Sequence, residues 1–189
     1  SFLVTCPINR YSYALSNVIQ PFSKAFCALQ PKSAQARKLV QELVQEKKKN
    51  QICLPVYVRS DILQGKGMAS SSADISVTAM ATALAMDYDL SLKELEQICL
   101  SVEPTDASFY QGVTQFDYIK GTISKPLGMC PPLKILVFDE GGSIDTVSFN
   151  KQADLQNKIL EKESIIQESF DLFKQGLTTH DIKLIGQAA

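Results

Sequence analysis

The chain has 189 residues, 45% hydrophobic and 21% charged, which suits one ordinary folded domain or one domain plus the start of a second. Its 19 Lys and Arg against 20 Asp and Glu leave a formal charge of −1, no excess with which to hold a long nucleic acid or an anionic membrane. No apolar run approaches the ~20 residues of a membrane span and no charged-then-apolar leader opens the chain, so a soluble, cytoplasmic protein is expected.

The chain opens with Leu3-Val4-Thr5-Cys6, a short apolar run ended by Pro7, and residues 11–19 are rich in strand formers; both read as strands. Residues 35–48 repeat Leu39, Val40, Leu43 and Val44 at helical spacing, and the lysines from Lys47 onward suit a solvated helix C-terminus. Residues 54–62 alternate as a strand with Pro55 at its start. After a Gly- and Ser-rich stretch, residues 73–86 are crowded with Ala, Met, Leu and Ile and nearly uncharged, the pattern of a helix buried on most of its circumference. Ser91 and Glu94 form a capping box that opens a helix running to Val102, ended by Glu103-Pro104-Thr105-Asp106.

Residues 116–119, 133–138 and 144–149 read as three further strands, the last two joined at Gly141-Gly142. Residues 152–174 are helical, with Leu155, Ile159, Ile165, Ile166, Phe170 and Phe173 as the apolar stripe, and another helix begins at Asp181. Hairpin strands mixed with helices make the class α+β, and the change from strands to helix near Asn150 places a domain boundary there. The five cysteines (Cys6, Cys27, Cys53, Cys99, Cys130) form no C-x-x-C pair and lie far from the single histidine, His180. Zinc ligation and Ser-His-Asp or Cys-His catalysis therefore find no clustered residues, and free buried thiols are expected.

The stretch with chemical content is Gly65-Lys66-Gly67-Met68-Ala69-Ser70-Ser71-Ser72 between a strand and a buried helix. Glycines let a backbone take positive φ and approach a ligand closely, and a helix start presents free N–H groups with about half a positive charge. Together they make a phosphate site. No Gly-Lys-Ser/Thr closes the loop, and the third glycine of G-x-G-x-x-G is absent, so neither a Walker A loop nor a dinucleotide fingerprint is present. The plainer reading is a Gly/Ser turn with Ser as helix cap.

Gly67-Met68-Ala69-Ser70-Ser71 followed by Ser72-Ala73 resembles the G-L-G-S-S-A-A motif of the GHMP kinase superfamily, with Ala69 in place of its second glycine. Gly65 to Ile75, Glu103-Pro104-Thr105-Asp106, Gly112-Val113-Thr114-Gln115-Phe116-Asp117 and Val4-Thr5-Cys6-Pro7-Ile8-Asn9 are most similar to the branch acting on L-threonine in cobalamin synthesis and propanediol utilisation. The resemblance covers roughly residues 1–150. It implies a two-layer N-terminal ATP-binding domain like ribosomal protein S5 domain 2 over residues 1–150, and the start of a ferredoxin-like C-terminal domain over residues 151–189. It places the family's first motif before Phe2 and its third beyond Ala189.

By the same resemblance, Gly65, Lys66, Gly67, Met68, Ala69, Ser70, Ser71 and Ser72 wrap the triphosphate of ATP, and Ser71, with Ser70 as its neighbour, reaches Mg²⁺. Glu103 is the carboxylate for that metal or else a helix-end carboxylate in solvent. Asp106 is the base or orienter of the acceptor hydroxyl, or an Asx-turn aspartate after proline. Lys66 neutralises phosphate charge or stays an exposed loop lysine, and Asp74 complements the helix start or holds an ammonium. Arg10 and Arg59 are the candidates for a carboxylate clamp, whereas Tyr11, Phe109 and Tyr110 read as wall or core. The expected activity is ATP-dependent phosphorylation of the L-threonine side-chain hydroxyl, with no nucleic-acid or membrane partner. Homoserine or an isoprenoid alcohol as acceptor, nucleotide binding without turnover, and a nucleic-acid-binding module are the rivals.

Overall fold

The structure is a computed structural model that describes residues 2–48, 55–143 and 154–188. Its elements are β1 (Leu3–Thr5), β2 (Ser12–Leu15), β3 (Cys27–Ala28), α1 (Pro31–Lys47), β4 (Tyr57–Ser60), α2 (Ser70–Ala85), α3 (Leu92–Val102), β5 (Val113–Phe116), β6 (Ser124–Gly128), α4 (Leu155–Glu161), α5 (Glu163–Thr179) and α6 (Ile182–Ala188). All described strand pairs are antiparallel, in two three-stranded sheets ordered β1-β5-β6 and β2-β4-β3. Mixed helix and antiparallel sheet is the α+β class that the pattern predicts.

The main core lies between helices. Ala36, Val40 and Val44 from α1 meet Ile75, Ala79 and Ala83 from α2 and Leu95, Ile98 and Cys99 from α3. The other face of α2 packs on β2 and β4, so the helix is covered on nearly every side. A helix so enclosed carries polar residues only if each is satisfied. Thr78 Oγ1 donates to the Asp74 carbonyl and Thr82 Oγ1 to the Thr78 carbonyl, both at 2.7 Å, and Ser76 Oγ donates to the Ala73 carbonyl at 3.0 Å. These bonds back onto the helix let small hydroxyl residues line a dry interface without losing hydrogen bonds.

α1 begins at Pro31, four residues before the helix expected from residue 35, because a proline at the first helical position gives up no needed N–H. At its other end Lys47 is more than a solvated tail: its Nζ lies 2.5 Å from Tyr88 Oη and 2.5 Å from Glu94 Oε1. Chiefly through Lys47, with Tyr88 and Ser91 adding hydrogen bonds, the Glu94 carboxyl is held down at about 2. The Ser91 capping box forms as expected, with Glu94 N donating to Ser91 Oγ at 3.3 Å and Ser91 N to Glu94 Oε2 at 3.0 Å.

A second core joins Val113 on β5 to Leu177 on α5 and Ile185 on α6, with Val4, Cys6, Leu127, Cys130 and Phe173 around it. α5 and α6 approach closely at Gly176, where an added Cβ would meet Ile185 Cγ1 at 2.8 Å. The turn between these helices is made by His180 in the left-handed region, with Asp181 N bonded to the Gly176 carbonyl at 2.9 Å.

Several strand expectations shift. The strand expected at 116–119 ends at Phe116, because Asp117 turns the chain by accepting from the amides of Ile119, Lys120 and Thr122 and from Thr122 Oγ1. Burial pushes the Asp117 carboxyl up, but those four donors outweigh it and hold it below the usual range. β6 contains Pro126, tolerated because β6 is an edge strand. Residues 133–138 form no strand; Leu136 and Phe138 are 80% and 84% exposed, and no described strand lies against them. The partner expected at 144–149 lies outside the described residues, and the helix expected from 152 is divided at Lys162. Of the four cysteines described, Cys99 alone is buried; Cys6 and Cys130 are half-buried and Cys27 is exposed. Among the described residues no helix is long and apolar enough to cross a membrane.

Candidate functional site

The start of α2 is shaped by the turn before it. Gly65, Gly67 and Ala69 all take positive φ, at 68°, 69° and 57°. Two of these are the glycines that such a path favours; the third is an alanine, and it is the N-cap residue of α2. No side chain caps the helix, and its first intrahelical bond runs from Ala73 N to the Ala69 carbonyl at 3.0 Å. The N–H groups of Ser70, Ser71 and Ser72 lie at the end of a 16-residue helix that no side chain closes off. Free amides at a helix start are the geometry that can receive an anion.

It opens into a cavity of about 550 Å³. The cavity wall includes Gly65, Gly67, Met68, Ala69, Ser70, Ser71 and Ser72, together with Glu103 and Asp106. Thus, of the ten residues assigned to phosphate, metal and acceptor hydroxyl, nine face one space, although Glu103 and Asp106 lie on a segment more than 30 residues away from the loop. The exception is Lys66, whose Nζ is held 2.7 Å from Asp139 Oδ1 and 2.8 Å from the Gly142 carbonyl, on the far side of the loop.

The serines divide their work. Ser72 Oγ accepts from Asp106 N at 3.1 Å and lies 3.4 Å from Asp106 Oδ2, so it orients the aspartate. Ser70 and Ser71 hydroxyls have no hydrogen-bond partner among the described residues, which leaves them to a ligand. Asp106 is further fixed by Thr5 Oγ1, which donates to its carbonyl at 2.5 Å. The next residue, Ala107, is buried with φ 52°, a second left-handed alanine. Burial raises the Asp106 carboxyl above the ordinary range; the Ser72 hydroxyl opposes this and the nearby Glu103 charge adds to it. Asp74 behaves alike: burial raises it, against hydrogen bonds from Ser12, at 2.5 Å, and from Ser60. Its place on the cavity wall is therefore backed by β2 and β4.

Glu103 ends α3, and its side chain, 9% exposed, is paired with Lys32 from the first turn of α1. Lys32 also lines the cavity and escaped the sequence reading, because nothing local to Pro31-Lys32 distinguishes it from a solvated helix-start lysine. Arg59 is elsewhere, stacked 4.4 Å over the Tyr13 ring and paired with Asp61 at 3.5 Å. Arg10 borders a second cavity, of about 760 Å³, with Asn9, Asp61 and Cys130. No group of three His, Cys, Asp or Glu suited to holding a metal occurs among the described residues. A magnesium ion that shares its ligands with phosphate and water needs only one or two carboxylates, and Glu103 with the free Ser71 hydroxyl supplies fitting oxygen donors.

Comparison with known proteins adds a lineage. Residues 34–112 match the GHMP kinases N terminal domain family. Over 134 residues the chain is 33% identical to an L-threonine kinase of Salmonella typhimurium strain LT2, covering 71% of this chain and 44% of that protein. Over 96 residues it is 34% identical to an L-threonine kinase of Citrobacter freundii, covering 51% of this chain and 33% of the relative. The chain thus spans less than half the length of the curated relatives it matches.

Two outcomes follow from this geometry. A left-handed alanine costs about 1–2 kcal/mol, part of which glycine returns through its freer unfolded chain, so Ala69→Gly should stabilise the fold by up to about 1 kcal/mol in urea unfolding. Asp106 holds its proton more tightly folded than unfolded, so its contribution falls as pH rises through the carboxylate range and stays unfavourable above it. Asp106→Asn should therefore melt above wild type at pH 7, and the gap should close as pH drops below the unfolded carboxylate value of about 3.9; an equal gap at every pH would rule out burial of the charge as the cause.

Proposed function

From the premise that the chain carries an N-terminal domain of the GHMP kinase superfamily and is most like the L-threonine kinases, we propose that it takes part in ATP-dependent phosphorylation of the L-threonine side-chain hydroxyl. The product is O-phospho-L-threonine, and the step feeds cobalamin synthesis in the cytoplasm. The supporting observation is the uncapped start of α2, with free Ser70 and Ser71 hydroxyls, opening onto the same cavity as Glu103 and Asp106.

Phosphoryl transfer asks for positioning and charge neutralisation more than for covalent work. Gly65 and the run from Gly67 to Ser71 would cradle the phosphates with backbone amides and hydroxyls, while Lys66 fastens the loop from outside through Asp139. Ser72 would hold Asp106 in the orientation in which its carboxylate accepts the proton of the attacking hydroxyl. A raised carboxyl is the better base for that proton, since proton transfer gains as the base approaches working pH. Ser71 and Glu103 would hold Mg²⁺, which neutralises charge on the transferred phosphoryl group.

The fold reading goes with this. Residues 1–150 would be the ATP-binding domain of ribosomal protein S5 domain 2 type and residues 151–189 the opening of a ferredoxin-like C-terminal domain, its helices α5 and α6 set against the β1-β5-β6 sheet. The acceptor is a small molecule, and neither nucleic acid nor membrane has a part.

In an ATP-consumption assay on the intact protein, L-threonine should stimulate turnover and homoserine or an isoprenoid alcohol should not; saturable ATP binding with no phosphothreonine would leave a nucleotide-binding protein without turnover. Asp106→Asn should lower kcat by about 10²–10⁴ with ATP binding kept; near-normal kcat would remove Asp106 from the mechanism. Ser71→Ala should raise the Mg²⁺ concentration needed for half-maximal activity, and an unchanged titration would discard that role.

A further inference from the structure

The cavity at the start of α2 is acidic. Asp74, Glu103 and Asp106 line it, and Lys32 is the one basic side chain among its lining residues. A polyphosphate entering this space meets three carboxylates, and the helix terminus offers it only about half a positive charge. Beside any metal ion, a basic side chain at the cavity wall would offset that charge, and Lys32 is in place to do so. Lys66, the loop lysine, is committed to Asp139 and the Gly142 carbonyl outside the cavity.

We propose that Lys32 is the side chain that neutralises the phosphates bound at the start of α2, and that its ion pair with Glu103 is the resting arrangement from which it is released. This rests on the reading of the cavity as the ATP site.

The two partners are unequal in a way that suits exchange. The Lys32 side chain is 47% exposed, a hydrated ammonium on a flexible four-carbon stem, whereas that of Glu103 is 9% exposed and anchored at the end of α3. The amine can move at little cost; the carboxylate cannot. A largely buried carboxylate left without a counter-charge is strongly unfavourable, so Lys32 leaves Glu103 readily only when another cation takes its place. Glu103 is the metal carboxylate of the proposed site. Phosphate binding by Lys32 and divalent-cation binding by Glu103 are therefore linked, each favouring the other.

The linkage has a signature that a simple salt bridge lacks. Without metal, Glu103 competes with phosphate for Lys32; with metal, it helps. The probe is inorganic tripolyphosphate titrated calorimetrically into the intact protein, once in EDTA and once in MgCl₂. Lys32→Met should weaken binding about tenfold or more in both buffers, the loss of one charge-assisted contact, and Lys32→Arg should return most of it. Glu103→Gln should bind at least as tightly as wild type in EDTA yet lose most of the Mg²⁺ enhancement. Lys38→Met, on the same helix but paired with Glu42 at the surface, should stay within about twofold of wild type because an exposed pair contributes little. Thermal melts check that each variant is folded.

Wild-type affinity in folded Lys32→Met, or weaker binding of Glu103→Gln in EDTA, overturns the role of Lys32 while the phosphate site stands. Failure of the wild type to bind tripolyphosphate or ATP overturns the ATP-site reading and this inference with it.

Discussion

The geometry of this protein turns on a helix terminus kept open. An α-helix leaves its first amides without partners, and a Ser, Thr, Asp or Asn side chain at the N-cap can close that gap. α3 does so with Ser91 and Glu94, only a few residues beyond α2. α2 does not, although three serines stand in its first turn. The left-handed path through Gly65, Gly67 and Ala69 brings the chain into the helix from a direction in which no side chain caps it. The amides therefore face the cavity, and the left-handed alanine is tolerated because the path requires it.

Holding that terminus in place demands a rigid helix behind it. The body of α2 is wedged between α1 and α3 on one side and β2 and β4 on the other. Alanines allow the close approach, and the threonines satisfy their hydroxyls on the helix's own carbonyls. Small residues here serve packing, and the polar ones among them cost no unsatisfied group. The same economy reaches the other wall of the site. Ser72, Asp106 and Thr5 form a short chain of hydrogen bonds that ties α2 to the segment after α3 and to β1.

Charge is distributed against stability. Asp74 and Asp106 are both raised by burial, which means that the fold bears two carboxylates in a place that disfavours their ionised forms. Hydroxyls from Ser12, Ser60 and Ser72 offset part of that cost. Structural carboxylates elsewhere in the molecule are treated differently: Glu94 and Asp117 are lowered by several donors each. The contrast separates residues arranged for the fold from those that the cavity holds in a less favourable state.

Local pattern was enough to reveal much of this. The apolar run of β1, the hydrophobic spacing of α1, the capping box of α3 and the loop before a nearly uncharged helix were all legible, because each depends on neighbours in sequence. Glu103, Asp106 and the loop from Gly65 to Ser72 were nameable from motif resemblance, and all but Lys66 line the cavity. What needed the folded chain was juxtaposition. Lys32 and Glu103 are 71 positions apart, and only the packing of α1 beside α3 makes them partners. Sequence leaves Lys66 either a phosphate counter-charge or a loop lysine in solvent; Asp139, 73 positions on, holds it instead. β6 is a strand because β5 lies beside it, despite Pro126, while the better-patterned 133–138 has no described neighbour and remains without secondary structure. Periodicity reports which face a segment can bury; pairing and charge compensation depend on what arrives through space, and that is decided only by the tertiary fold.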